Sequence, residues 1–365
     1  MNENKIKVGI IGTRGIPNNY GGFERFVELL VEQHNQKSNL HFTIFGEKNQ
    51  QVEYNNSNYD YVILKSRKSQ GMIYYIESIF KSLIKCDVIF CCGVSISFLS
   101  FMPRIFGKKL IINPDGCEWE RERWSKFQRF LIRTMYFPAL LFANKIIVDS
   151  ESLKSDFGKF FTKKYVYIPY QHPSISFAND KDVKRLFNSK NIKLNDDYIL
   201  VIARLEPENN LKVICDAFIE SKSKKQLIIV GKTDTVFYLR KLERYNNPTY
   251  NIFFTDGIYN QDILNSLRKN ALLYIHGHSV GGTNPSLIEA LASCLGNIAC
   301  HNNKYNMEVA KDFASYFSEK KQLIKIIHNT DQSFLKDINN WYDPRFNPQK
   351  IYQDYMSEFK KISLK

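Results

Sequence analysis

Two doubly wound α/β domains in tandem are what the sequence predicts, on three observations. Short β-branched runs alternate with amphipathic helical stretches, the strand runs are continuously apolar, and a polar, proline-bearing interval splits the alternation near its middle. Continuous apolar strands belong to parallel sheets covered on both faces, and the alternating helices supply the cover. At 365 residues the chain also exceeds what one hydrophobic core usually serves.

Residues 5–11 (KIKVGII) open the first domain as a strand, and residues 23–33 follow with Phe26, Val27, Leu29 and Leu30 at helical spacing. Further strands are predicted over 41–45, 61–64, 88–92, 109–112, 146–148 and 166–168. Residues 169–197 carry Pro169, Pro173 and a charged run without a long apolar face, and read as a domain boundary. The alternation restarts at 198–203 (YILVIA), with strands over 226–230, 252–254, 271–275 and 297–299 and helices over 211–220, 235–244, 261–270 and 285–293. A helical pattern closes the chain after Trp341. Paired domains of this kind leave a cleft between the carboxyl ends of their sheets, where ligands bind in this class.

Hydrophobic residues at 44% and charged residues at 24% are globular values that exclude collagen-like, disordered and repeat classes. The formal charge of +14 points to a polyanionic partner: nucleic acid, an anionic membrane surface or a phosphorylated substrate. No nucleic-acid module is recognisable, which sets the first aside. Seven cysteines, an odd number without C-x-x-C spacing, indicate neither a disulfide frame nor a zinc site and fit a reducing compartment. The amino terminus lacks the pattern of a signal peptide. The longest apolar stretch, 135–143, is interrupted by Pro138 and bounded by Arg133 and Lys145, too short to span a bilayer. A cytoplasmic protein touching membrane only from the surface is expected.

The first loop, residues 12–22 (GTRGIPNNYGG), places four glycines between a strand and a helix. Its backbone can approach a ligand and offer N–H groups to an anion at Gly21 and Gly22, although a tight turn without a ligand accounts for the glycines equally well. Arg14 on it is a natural phosphate or acceptor contact. In residues 113–124 (NPDGCEWERERW), Asp115 falls at a strand's carboxyl end, where Asp-Gly is also an ordinary turn pair. Glu118 and Glu120 interleave with Arg121 and Arg123 in the manner of a solvated helix start. Residues 119–142 mix Arg121, Arg123, Lys126, Arg129 and Arg133 with Trp119, Trp124, Phe127, Phe130, Tyr136 and Phe137. That make-up suits the headgroup boundary of an anionic membrane, and equally a core-facing helix with a basic exterior.

In the second half Arg204 follows a strand directly, where an always-charged planar guanidinium suits a diphosphate, and Lys232 sits at an equivalent level after the next strand. In HSVGGTNPSLIEA, residues 278–290, Gly281 and Gly282 free the backbone, Thr283 follows, Asn284 can cap and Pro285 suits the first helical turn. The helix start then faces an anion, and Glu289, one turn inside, can accept two hydroxyl hydrogen bonds such as a ribose diol offers. His276 and His278 have metal-compatible spacing but no local acidic or cysteine partner. The Asp180-Lys181-Asp182 triplet lies in the polar interval and reads as exposed charge. No metal is expected.

Taken in order, GTRGIPNNYGGFERFVE, DGCEWERERW, ARLEPENN and HGHSVGGTNPSLIEA resemble the retaining GT-B glycosyltransferases of family 4, and within them the bacterial rhamnosyltransferase branch that builds capsular and cell-wall polysaccharides. The resemblance implies a GT-B fold of two tandem Rossmann-like domains: an acceptor-binding domain over 1–170, a nucleotide-sugar-binding domain over 171–345 and a final helix over 346–365 crossing back to the first. It implies transfer of a sugar, L-rhamnose from dTDP-rhamnose, to a lipid-linked saccharide at the inner face of the plasma membrane, without a metal cofactor. Gly21, Gly22, Arg204, Lys232, Gly281, Gly282, Thr283, Asn284 and Glu289 then bind the donor, and Arg14, Tyr20, Glu118 and Trp119 the acceptor. Asp115, Asp149 and Arg204 serve catalysis, Asp149 being equally suited to cap a helix near Ser150. Arg121, Arg123, Trp124, Lys126, Phe127, Arg129 and Phe130 face the membrane.

Two positions depart from the wider family, which carries two glutamates with seven residues between them and a lysine five residues after the arginine. Here these positions hold Gly281 and Asn209. A transferase using another UDP- or GDP-sugar, a sugar-nucleotide epimerase of similar shape and a non-catalytic sugar-nucleotide-binding subunit are the competing expectations.

Overall fold

Parallel strands of three to seven residues, the central ones buried along most of their length, organise the chain into two sheets. In the computed structural model residues 5–18, 21–34, 38–47, 59–64, 72–94, 96–232, 236–294, 297–331 and 341–364 are described. The chain divides into two compact units, the first made of Met1–Trp119, Lys126–Gln171 and Arg345–Lys365, the second of Glu120–Ser125 and His172–Pro344.

The first unit runs β1 (Ile6–Ile11), α1 (Gly22–Glu32), β2 (Leu40–Gly46), β3 (Tyr59–Ile63), α2 (Met72–Lys85), β4 (Val88–Cys92), α3 (Met102–Ile105), β5 (Lys109–Asn113), α4 (Lys126–Phe142), β6 (Lys145–Val148), α5 (Leu153–Phe157) and β7 (Tyr165–Tyr167). Its sheet has the order β3-β2-β1-β4-β5-β6-β7. The second unit runs α6 (Asp180–Ser189), β8 (Tyr198–Ile202), α7 (Leu211–Ser221), β9 (Gln226–Val230), α8 (Val236–Glu243), β10 (Ile252–Thr255), α9 (Gln261–Asn270), β11 (Leu273–His276), α10 (Pro285–Ser293), β12 (Asn297–His301), α11 (Lys304–Ala310), β13 (Ser315–Phe317) and α12 (Lys320–His328). Its strand order is β10-β9-β8-β11-β12-β13. The last helix, α13 (Pro348–Ser363), returns to the first unit.

Each sheet reverses its winding once, between β1 and β4 in the first unit and between β8 and β11 in the second. Such a switch point opens a crevice at the strands' carboxyl ends, because the flanking connections leave in opposite directions. Right-handed crossovers put α1 on one face of the first sheet and α2, α3, α4 and α5 on the other. The packing of α13 agrees with this: Tyr355 lies 4.8 Å from Phe26 of α1, ring to ring, and Phe359 meets Phe42 and Phe90 of the sheet.

The fold class read from the sequence therefore holds, with local corrections. The polar interval contains α6, whose Val183 and Phe187 are buried, and Asp180 and Asp182 occupy its first exposed turn after Asn179. Pro138 does not interrupt the apolar stretch. It sits inside α4, where Ser97 donates to the Met135 carbonyl and Ser100 to that of Pro138 at 3.0 Å. Strand β13 and helices α11 and α12 were not expected.

At the first switch point β1 and β4 approach so closely that Gly12 has no room for a side chain. Its φ is +89°, and a Cβ there would stand 2.1 Å from the Cys92 carbonyl oxygen. A Gly12→Ala variant is expected to lose about 2 kcal/mol or more of stability in urea denaturation, through left-handed strain and this collision. A wild-type midpoint would contradict that account.

Candidate functional site

In the second unit Arg204 leaves the carboxyl end of β8 and Lys232 that of the neighbouring β9. Both are exposed, and neither side chain has a hydrogen bond or ion-pair partner among the described residues. Their loops are tied by backbone, Leu205 N–H donating to the Lys232 carbonyl at 3.1 Å. Asn209, where the wider family has lysine, is buried and donates through Nδ2 to the Arg204 carbonyl at 2.7 Å. It holds the arginine's backbone instead of supplying a charge. Across the switch point Asn210 Nδ2 donates to the Gly277 carbonyl at 2.8 Å, and Ser279 donates to the Glu208 carbonyl through both N–H and Oγ. The loops after β8 and β11 thus form one hydrogen-bonded frame beside two free cations.

The β11 loop leads into α10. Asn284 caps this helix by accepting from Ser286 N–H at 3.0 Å, and Pro285 takes the first position. Thr283 is buried, while Gly281, Gly282 and Asn284 keep partial exposure. Gly281 has φ +127° and a Cβ there would meet nothing within 4 Å. A glutamate at this position is therefore opposed by backbone conformation and not by crowding.

Glu289 is mostly buried and forms a salt bridge with Arg268 of α9, which is 1% exposed and also donates to Asn265 Oδ1 at 3.1 Å. Arg268 escaped the sequence reading, although an arginine inside an otherwise core-facing helix is a visible signal. Beside this pair the rings of His276 and His278 stack 4.2 Å apart. Burial, then the positive charge of Arg268, pushes His276 down to about 3, and burial with His276, Arg204 and Arg121 lowers His278 well below the usual imidazole range. Both are neutral at physiological pH. No group of three or more His, Cys, Asp or Glu residues that could hold a metal occurs among the described residues.

In the first unit Arg14 N–H donates to Glu24 Oε1 at 2.8 Å and Asn18 N–H to Glu28 Oε1 at 3.3 Å. Two backbone donors of the loop are thus already engaged by carboxylates of α1, while Gly21 and Gly22 sit at that helix's start. Tyr20 lies outside the described residues. Asp115 follows β5 with φ +63°, its N–H donating to Asn113 Oδ1 at 3.0 Å. Asp149 is buried directly after β6, and α5 begins at Leu153 with Ser152, not Asp149, at its cap position. Buried Tyr170 feels both carboxylates: burial, then the charges of Asp149 and Asp115, raises its phenol well above the ordinary range. The DGCEW turn is fastened through Tyr136, which donates to the Gly116 carbonyl at 2.8 Å and accepts from Glu118 N–H. Trp119 packs edge-on against Tyr136 at 4.6 Å.

The membrane-facing set needs correction at its start. Arg121 belongs to the second unit and forms a buried ion pair with Glu208 at 3.1 Å, so its charge is not available to a surface. Arg123 and Trp124 are half-buried and stack on each other at 4.8 Å. The exposed face begins with Lys126 and continues through Phe127 (69% exposed) and Phe130 (64%), with Arg129 half-buried. No described helix is long and apolar enough to cross a membrane.

Residues 5–172 match a family described as a domain of unknown function (DUF1972), and residues 182–350 match glycosyl transferases group 1. No curated protein matches the sequence. Among solved structures the chain is similar to Anabaena HepE in complex with UDP-glucose, with TM-score 0.74, 12% identity and coverage of 97% of this chain and 99% of that one. It is similar to the trehalose 6-phosphate synthase of Burkholderia multivorans (TM-score 0.72, 10% identity, 99% and 98% covered). The sucrose-phosphate synthase of Thermosynechococcus elongatus also resembles it (TM-score 0.67, 14% identity, 98% and 96% covered). The fold and the group 1 match together support a GT-B glycosyltransferase.

Proposed function

We propose that this protein is a retaining glycosyltransferase that moves a sugar from a nucleoside diphosphate donor, L-rhamnose from dTDP-rhamnose, onto a lipid-linked saccharide in bacterial surface polysaccharide synthesis. The observation that carries the transferase reading is that two exposed cations without a partner among the described residues, Arg204 after β8 and Lys232 after β9, stand on the same sheet end as the loop that leads from β11 into α10 and Glu289. In this reading the diphosphate lies against the cations and the α10 N–H groups. As the bond to the sugar breaks, negative charge grows on the leaving diphosphate, and donors already in place stabilise it. Glu289 takes the ribose hydroxyls. The HepE complex with UDP-glucose supports a sugar-nucleotide donor, and the four sequence motifs support rhamnose. Asp115 and Asp149 position or deprotonate the acceptor hydroxyl, with Arg14, Tyr20, Glu118 and Trp119 holding the acceptor. No metal takes part. The lipid acceptor brings the enzyme to an anionic membrane, which Lys126, Phe127, Arg129 and Phe130 engage from the cytoplasmic side.

The test is incubation of purified protein with a panel of sugar nucleotides and a synthetic lipid-diphosphate saccharide, following nucleotide release and lipid mass. A gain of one deoxyhexose with the dTDP-rhamnose donor alone is expected. Gain with a UDP- or GDP-sugar instead would replace rhamnose, and isomerisation or binding of a donor without transfer would overturn the transferase. Arg204→Ala is expected to lower kcat about 10²-fold with unchanged thermal stability, because the side chain is exposed and acts on developing charge. An unchanged kcat would remove it from the site.

A further inference from the structure

We infer that a cationic cavity at the amino ends of β5 and β6 binds the phosphate of an anionic phospholipid headgroup and anchors the first unit to the bilayer. The cavity measures about 410 Å³, a size that accepts a small ligand, and is lined by Arg104, Lys108, Lys109 and Lys164 with Asn144. Among the described residues no carboxylate lines it. Asn144 accepts from Leu110 N–H at 2.8 Å through its carbonyl oxygen, which leaves its amide N–H groups to donate. Lys164 Nζ donates to the carbonyls of Leu141 (2.6 Å) and Leu140 (3.3 Å) in the last turn of α4, where a cation is favoured. Burial and the neighbouring Arg104 both disfavour the charged form of Lys164, and a bound phosphate would relieve that repulsion. The 3.8 Å contact of Lys108 with exposed Asp87 is a weak surface pair.

The surroundings select a lipid over a free phosphate. Ile105 (71% exposed) and Phe106 (56%) project beside Arg104, so large apolar side chains stand next to the cations, as at a headgroup boundary. The same helix layer exposes Ile73, Phe80 and Ile84 on α2 and Phe127, Phe130 and Phe137 on α4. Helix α4, 17 residues and about 25 Å long, runs from the carboxyl end of β5 to this cavity. A flat surface lying along it reaches both ends of the sheet. The cavity lies at the amino ends of the first sheet's strands, opposite that sheet's own switch-point loops, and uses none of the residues of the transferase reading, so the two are tested separately.

The test is co-sedimentation of the full chain with phosphatidylcholine vesicles and with mixed phosphatidylcholine–phosphatidylglycerol vesicles, alongside titration with glycerol phosphate. Binding only to the anionic vesicles, with saturable competition by glycerol phosphate, is expected. Arg104→Gln/Lys108→Gln should weaken vesicle binding about 30-fold, abolish the glycerol phosphate titration and leave transfer to a soluble acceptor intact. Lys222→Gln/Lys224→Gln, an equal charge change in the second unit, should do neither. Equal losses from both pairs would mean diffuse attraction and overturn the site. Glycerol phosphate binding without vesicle binding would overturn the lipid. Loss of vesicle binding in Phe127→Ser/Phe130→Ser, with Arg104→Gln/Lys108→Gln unchanged, would leave docking to α4 alone.

Discussion

Glu289→Ala is expected to destabilise the second unit by about 3–5 kcal/mol and to abolish donor binding at the same time, two losses with different causes. The first comes from Arg268. Its guanidinium is buried, and its salt bridge to Glu289 is the counter-charge that makes burial tolerable. Removing one partner leaves an uncompensated charge away from water, whereas replacing both by apolar groups of similar volume is often neutral. The double variant Arg268→Met/Glu289→Leu should therefore recover most of the stability while donor affinity stays lost. Urea denaturation with calorimetric titration of the nucleoside diphosphate reads both. Donor binding by the double variant would remove Glu289 from the site, and wild-type stability of Glu289→Ala would show that Arg268 needs no counter-charge.

Acid should unfold the second unit through His276 and His278. The folded state holds both imidazoles neutral, with His276 down to about 3. Below an unfolded-state value near 6.5, the unfolded chain binds protons that the folded chain refuses. Stability is thus fully present above pH 6.5 and is lost as the pH falls toward 3. His276 alone accounts for about 2 kcal/mol between pH 7 and 5, and His278, held neutral by the same burial, adds to the loss in the same direction. Because the rings stack at 4.2 Å, protonating one also places charge against the other. A His276→Phe variant should show a shallower fall of denaturation midpoint over that range. An unchanged slope would mean that the proton enters elsewhere.

Much of the architecture was legible because it rests on local pattern. Apolar runs such as VIFCC and QLIIV, each buried throughout, read as parallel strands without knowledge of their neighbours. The cap of α10 was visible as Asn284-Pro285, since capping involves residues two apart. Where the pattern was short or diluted it failed. Strand β13 has only three residues, and α6 buries only Val183 and Phe187 among its charges. The basic aromatic segment 119–142 read as one helix, facing either a membrane or the core, but residues 120–125 belong to the other unit, and nothing in the composition marks that division.

By itself the sequence determined most of the strand segments, which loops follow them and which cations those loops carry, because periodicity and turn chemistry act within a few residues. Only the tertiary structure decided their partners. Glu289 meets Arg268 because α9 and α10 pack together. Arg121 meets Glu208 across 87 positions of sequence, and Arg104 and Lys164 share a cavity because β5, β6 and β7 lie side by side. Burial sets the charge state of His276 and its neighbours, and burial is a property of the packed chain, since it depends on what other segments exclude water from each group.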